Sequence, residues 1–474
     1  MILSAEDRAE TMERSFTKLD RALLAVVLFT VTCAPFVSLV GMDSGSPFVT
    51  NGFLAVLLAA LVMTLFHFDE LRLDRGLKIL LGFAIVGTVT SLIMSLILNG
   101  RLGELYGQST MTTSLPSICW LFFNFVTVLY FSWSYSRASI GFIDRVFDAF
   151  VVFVFLISAL EIVFGESFSG IISKWIVQYD AYISRERICG VATEPSTMSA
   201  VLGLICLPYC YARFKRGAGK RYFVAFAALV LVAFFTKSTT VYITVLFVCT
   251  GIFVRECGSL FNRNVGYLAL AISLIGLILI LAAVPILGSI DTPSSSPIND
   301  AISGVVSRAT SRTDLSGAYR NSTIVNDWKV FSEYPLCGVG DGNQGFFYAQ
   351  NLPDWILLSG SVEVIDALSG VKGVLDGGAF IGSVVSGYGI MGIVLCLGWL
   401  AFVFRKAKTN KIGMGHYYDM FIIALCGSLP VLWMNMSFKG APVAAFAVFC
   451  LPYISAFSHS NDGRPKSTVV NGDD

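Results

Sequence analysis

Charge is what this chain has least of. Only 14% of its 474 residues are Asp, Glu, Lys or Arg, against about a quarter in soluble globular domains. The 32 acids and 33 bases nearly cancel, leaving a net charge of +1. A polyanion-binding surface, and with it nucleic-acid binding, is therefore not implied. Histidine is scarcer still, with His67, His416 and His459 alone. No Cys and His cluster has metal-ligand spacing. The opening 1–21 has neither an apolar core nor a small-residue cleavage site, so it does not read as a signal peptide. No internal repeat and no low-complexity segment is visible.

Apolar residues fill the space that charge leaves. They make up 55% of the chain, and mean hydropathy is +0.73. They come in runs of about twenty, the length that crosses a bilayer as a helix. A soluble enzyme and a disordered chain are excluded. Continuous runs also argue against alternating barrel strands. The expected fold is all-α and polytopic, with about twelve spans. These lie near 22–41, 50–66, 78–98, 115–133, 145–164, 196–212, 221–236, 239–255, 265–288, 379–404, 417–435 and 441–458. Residues 1–288 thus hold spans one to nine with an outer loop at 165–195. A large outer loop occupies 289–378, spans ten to twelve fill 379–458, and a polar tail expected to be disordered follows at 459–474.

Lys and Arg in the short loops set orientation. Clusters at 213–221 and 405–411 carry most of that weight, with Arg72, Arg75, Lys78, Arg137, Arg145, Arg255 and Arg263 on the same side. Both termini are then cytoplasmic. All three histidines also fall on the cytoplasmic side, so a histidine catalyst on the outer face is not expected.

Basic residues on the two long outer loops run against this bias: Lys174, Arg185, Arg187, Arg308, Arg312, Arg320, Lys329 and Lys372. Long loops translocate largely regardless of charge, so each one alone reads first as a solvated residue. Arg185 and Arg187 precede Gly190-Val-Ala-Thr-Glu194-Pro195-Ser196 and then a span. Pro at the first helical position suits helix initiation, which puts Glu194 at an N-cap. There Glu194 either merely caps the helix or serves as an ionised carboxylate at the mouth of a cavity.

The second constellation runs from Arg320 to Gly345. Ile324, Val325, Trp328 and Phe331 share one helical face, and Pro335 ends the helix. Glycines 338, 340, 342 and 345 follow, a composition able to turn backbone N–H groups inward as an anion nest. The strand and helix frame of a nucleotide site is missing. Lys237 in the turn Thr236-Lys-Ser-Thr, Asp376 before span ten and Glu161 near the outer end of span five complete the polar outliers. Lys237 can reach a phosphate or be solvated, and Glu161 can snorkel to water. Gly382, Gly387, Gly389 and Gly392 read first as close helix packing. Of the 11 cysteines, Cys189 and Cys337 are the extracytoplasmic pair. An oxidising compartment permits a disulfide between them and does not require one.

As an ordered set over residues 185–395, these motifs resemble the Wzy-type O-antigen and exopolysaccharide polymerases. The carriers are Arg187 to Ser196, Thr236-Lys-Ser-Thr, Arg320…Trp328…Pro335…Gly338-Val-Gly340 and Asp376-Gly-Gly-Ala…Gly392. The resemblance implies a GT-C-like enzyme in a bacterial inner membrane. Such an enzyme moves a growing glycan from undecaprenyl pyrophosphate to a lipid-linked oligosaccharide repeat unit, needs no cofactor or metal, and can work beside a chain-length regulator. Arg187 and Arg320 would bind pyrophosphate, with Arg185 and Lys237 as lesser candidates. Glu194 is the first choice for catalytic base and Asp376 the second.

The related O-antigen ligases typically use an outer histidine, which this chain lacks. A transporter or flippase shares the span count, yet typically shows repeats and mid-membrane charges. A non-catalytic assembly partner is the third option.

Overall fold

The computed structural model describes residues 16–32, 53–165, 167–168, 187–192, 195–260, 315–354, 362–369, 380–434 and 442–454. The expected span 265–288, the loop opening 289–314, most of the loop 165–195 and the tail 459–474 lie outside these residues. Among the described residues there is no strand. The one pairing of that kind is an isolated bridge between Leu105 and Gln108.

The helices are α1 (Lys18–Thr32), α2 (Phe53–His67), α3 (Arg75–Leu102), α4 (Thr110–Arg137) and α5 (Ile140–Phe164). Next, α6 (Met198–Ala200) continues through a π-helical stretch (Val201–Cys206) into α7 (Leu207–Lys215), followed by α8 (Arg221–Phe235) and α9 (Thr239–Leu260). The large loop supplies α10 (Leu315–Glu333), α11 (Tyr348–Asn351) and α12 (Val362–Leu368). The chain closes with α13 (Phe380–Thr409), α14 (Lys411–Met414), α15 (Tyr417–Met434) and α16 (Pro442–Phe449).

Five of these are long and apolar enough to cross a membrane: α3, α4, α5, α9 over Thr239–Cys257, and α13. The architecture is that of an α-helical, multi-pass membrane protein. Local chemistry fixes the helix ends. Asp74 caps α3 by accepting from Leu77 N at 3.0 Å. Ser109 and Thr112 form a reciprocal capping box on α4, which satisfies N–H groups that a helix start leaves open. Trp120, Tyr130, Phe131, Tyr135, Tyr209 and Tyr417 are fully buried in the central cluster. On α3 the residues Ile85, Val89, Ile93 and Leu96 are exposed instead. Their helical spacing makes an outward apolar stripe that suits acyl chains.

Polar contacts sort the helix ends into two groups. At one end Asp144 of α5 takes Arg213 of α7, with His416 Nε2 at 2.8 Å and the Tyr417 hydroxyl at 2.6 Å. Asp148 accepts from Tyr209 and Tyr222, both at 2.9 Å. Arg255 of α9 pairs with Asp419 of α15. Lys406 of α13 donates to Asp74 at 2.7 Å. Arg137 pairs with Glu70 at 3.0 Å, and His67 Nε2 lies 3.4 Å from Asp20. These residues sit at alternate termini of successive helices, so the helices run up and down. The opposite termini define the other end, where α10 and the glycine segment pack.

One expectation changes here, and one helix buries an unexpected kind of face. The helix after Pro195 opens at Met198 with Thr197 at the N-cap, after a turn at 195–197, and Ser199 N donates to Ser196 O at 3.1 Å. The N-cap is thus not at Glu194. The face of α10 that is buried is also not the apolar one. Ser322, Thr323, Asn326, Asp327 and Val330 are buried, while Trp328 is 44% exposed. The partner surface, glycine backbone and serine hydroxyls, is polar, and a polar helix face satisfies it better than an apolar one.

Candidate functional site

The glycine segment after α10 does not hang in solvent. Residues 338–348 are all buried. They enter a gap in α13, which is broken at Gly389 with φ 60 and ψ −151. Four backbone bonds stitch the gap. Val339 N donates to Ser386 O and Gly340 N to Gly387 O, both at 2.9 Å. In return Ile390 N donates to Pro335 O at 2.8 Å and Met391 N to Leu336 O at 3.3 Å. Irregular backbone is tolerated at such depth where protein covers it. The close approach requires glycine. A Cβ on Gly389 would lie 2.5 Å from Pro335 O, and one on Gly340 2.9 Å from Ser91 Cα.

This revises the anion-nest reading. Gly338 N donates to Tyr334 O and Asn343 N to Gly340 O, while Gly342 N donates to Gln344 Oε1 at 2.9 Å. With Val339 N and Gly340 N also engaged, these N–H groups already serve protein acceptors. The glycines of α13 do pack closely, as their spacing suggests. They do so around a break rather than along a continuous helix.

Around the segment runs a buried polar seam. Asn343 Nδ2 donates to Ser95 Oγ at 2.9 Å, and Thr113 Oγ1 donates to Asn343 Oδ1 at 2.9 Å. Ser95 and Ser114 hydroxyls lie 2.6 Å apart. Asn351 Nδ2 donates to Asn326 Oδ1 at 2.9 Å. Asp327 meets Ser386 Oγ at 2.9 Å, and Gln344 Nε2 donates to Asp341 Oδ1 at 3.1 Å.

The second cluster at this end gathers three sequence outliers. Arg187 Nε donates to the Thr236 carbonyl at 3.2 Å, which sets it on the turn that carries Lys237. Lys237 is exposed and left-handed, with φ 46. That conformation costs a non-glycine residue roughly 1 kcal/mol, so glycine would be the cheaper occupant. The turn is held by Thr236 Oγ1 donating to Ala233 O at 2.7 Å and by Ser238 N donating to Thr236 Oγ1 at 3.3 Å. Glu161 does not snorkel. It is 4% exposed and accepts from Cys189 N at 3.0 Å and Gly190 N at 2.7 Å. A carboxylate with two backbone donors is strongly anchored, and it fixes the stretch that follows Arg187.

Arg185, Glu194 and Asp376 lie outside the described residues. Arg320 is placed in the backbone of α10, and its side chain lies outside the description. The structure therefore brings Arg187 beside the turn that carries Lys237, and Glu161 anchors the backbone that follows Arg187. Cys189 is buried and Cys337 exposed, and no disulfide joins them. Among the described residues no metal-binding group of three or more His, Cys, Asp or Glu occurs. No family model matches the chain, and no curated protein matches it.

Sequence reasoning missed Asp327 and Asp341. The legible signal was their place among Asn326, the glycines and Ser386. The hydrophobic pattern of α10 pointed to the opposite face.

Proposed function

We propose that this protein is a polysaccharide polymerase of the inner membrane, with a GT-C-like bundle of about twelve spans. It transfers a growing glycan from undecaprenyl pyrophosphate to a lipid-linked oligosaccharide repeat unit. The ion-paired end faces the cytoplasm with both termini, and the glycine-seam end faces the periplasm. A chain-length regulator is a fitting protein partner.

One observation carries this reading: Arg187 Nε donates to the Thr236 carbonyl, next to Lys237 on a left-handed turn at the seam end. A departing pyrophosphate develops negative charge, and fixed cations stabilise it in proportion to their preorganisation. The Glu161 anchor on Cys189 and Gly190 supplies that preorganisation. Arg320 and Arg185 add charge in this reading, Glu194 is the base, and Asp376 is its alternate.

Chain-length analysis of glycans from cells carrying Arg187→Ala, Lys237→Ala or Glu194→Ala tests it. Arg187→Ala should cut long chains by roughly a hundredfold, the scale of one lost transition-state donor, with membrane expression unchanged. Wild-type chain lengths in all three would sink the reading. The break in α13 favours a second reading, a transporter, because transporters place binding sites at broken helices. The gap is filled by residues 335–340 of the same chain, which ranks that reading lower. Lipid flipping in reconstituted vesicles without glycan lengthening would reverse the ranking.

A further inference from the structure

Asp327 occupies a position that neither catalysis nor orientation accounts for. It lies on α10, outside the membrane-spanning helices, and is 1% exposed. Its Oδ1 is 2.9 Å from Ser386 Oγ, across the seam on α13. Ser386 Oγ is also 2.8 Å from the Gly382 carbonyl oxygen. A serine hydroxyl has one proton, and here it faces two acceptors. A second proton, on the Asp327 carboxyl, completes both bonds. Asp327 then donates to Ser386, and Ser386 donates back to Gly382, its ordinary helical partner. The other oxygen, Oδ2, has no hydrogen-bond partner among the described residues and lies against Gly382, where any side chain would collide with it. A charged carboxylate in such a place would carry an uncompensated burial cost.

We propose that Asp327 is a proton-binding site that locks α10 onto the broken helix α13. Burial raises its pKa to about 8, helped by the like charge of Asp341 and opposed by the Ser386 bond. At neutral pH the docked form therefore keeps its proton.

Among the described residues the surrounding groups supply no counter-charge. The glycine segment brings Asp341, which is itself an acid and accepts from Gln344. From α13 come Ser383, Ser386 and Tyr388, all uncharged. α11 brings Tyr348, in contact with the Ser322 hydroxyl. α12 packs on α10 and carries Glu363 and Asp366, again acids. On α10 itself Lys329 donates to the Asn351 carbonyl at 2.8 Å, Glu333 is exposed, and Arg320 lies two turns away. Among the described residues no cation is paired with Asp327.

The sign of the effect follows from linkage. The docked state holds a proton that an undocked, solvated carboxyl gives up near its ordinary value of 3.8. Docking is thus strongest below that value. It weakens as pH rises toward about 8 and then levels off.

Hydrogen exchange on the full chain in detergent tests this. The amides of Val339, Gly340 and Ile390 bridge the break, so their protection reports docking once intrinsic rates are corrected. Protection should fall by up to about tenfold per pH unit from pH 5 upward, the slope of one proton. It should then flatten near the pKa. Asp327→Asn keeps the shape without the charge and should remove the slope. A flat wild-type profile, or an unchanged slope in Asp327→Asn, overturns the proposal. If that variant does not fold, an infrared difference spectrum of the wild type decides. Between about pH 6 and pH 9.5 it should lose the band of a protonated carboxyl group, since ordinary acids are already ionised there. Absence of that band overturns the proposal as well.

Discussion

At one end of the bundle Asp144 meets Arg213, His416 and Tyr417, and Asp419 meets Arg255. At the other, Asp327 meets a serine, Asp341 a glutamine, and Glu161 two backbone N–H groups. The first end spends its charges on one another and ties α5, α7, α9 and α15 into one frame. In these contacts the partners of the acids are neutral groups. Lys237 lies exposed there, in a left-handed conformation. The contrast separates an end tied by ion pairs from an end tied by neutral hydrogen bonds. Removing one partner of a buried ion pair is strongly destabilising.

The largest test of that contrast is a glycine. Gly338→Ala would push a Cβ into the Ser386 and Gly387 backbone at φ 64. It should cost at least about 3 kcal/mol in detergent unfolding, as buried overpacking adds to a left-handed conformation. Gly217→Ala, at φ 75 with open space around it at the ion-paired end, should cost only about 1 kcal/mol. Equal losses would erase the distinction between the two ends.

Next comes Asp144→Ala. It strands Arg213 beside a vacated partner and should cost about 3 kcal/mol, the low end for broken buried pairs, since Asp144 keeps 15% side-chain exposure. Glu161→Gln should cost less, about 1 to 2 kcal/mol, because a neutral amide oxygen still accepts from Cys189 N. The reverse order in the same unfolding assay would mean that the seam end is the stiffer one.

The smallest effect is Asp74→Asn. Burial raises the Asp74 carboxyl, but Lys406, the Leu77 N–H and the Tyr453 hydroxyl outweigh it and hold it below the ordinary range. A depressed carboxyl stabilises above its unfolded value of 3.8 and loses that contribution as pH falls through the folded value. Wild type should lose about 1 kcal/mol or less on such acidification, and Asp74→Asn should not. A variant with the same acid loss would assign the effect to another group.

Hydropathy placed the long helices well. The expected spans 78–98, 115–133 and 145–164 fall inside α3, α4 and α5, and 379–404 matches α13 from residue 380 onward. Even the tightly joined pair 221–236 and 239–255 forms two helices, α8 and α9. Composition over twenty residues decides such helices because lipid leaves the backbone no other partner. Pro335 marked the end of α10 for a similarly local reason. The break in α13 was not legible, because the same glycines that interrupt it are what close packing also uses. Nor was the buried face of α10, because hydrophobic patterning assumes an apolar partner surface.

Sequence by itself determined that this chain is a helical membrane protein, and where its charges cluster along the chain. It also singled out Arg187 and Lys237 as residues out of place. Only the tertiary structure decided that Arg187 reaches the Thr236 carbonyl beside Lys237, that Glu161 anchors backbone, and that Asp327 lies opposite Ser386. The reason is range. Bilayer crossing is set within one helix by local hydropathy, whereas a carboxyl's partner and its proton are set by residues tens of positions away that only packing brings near.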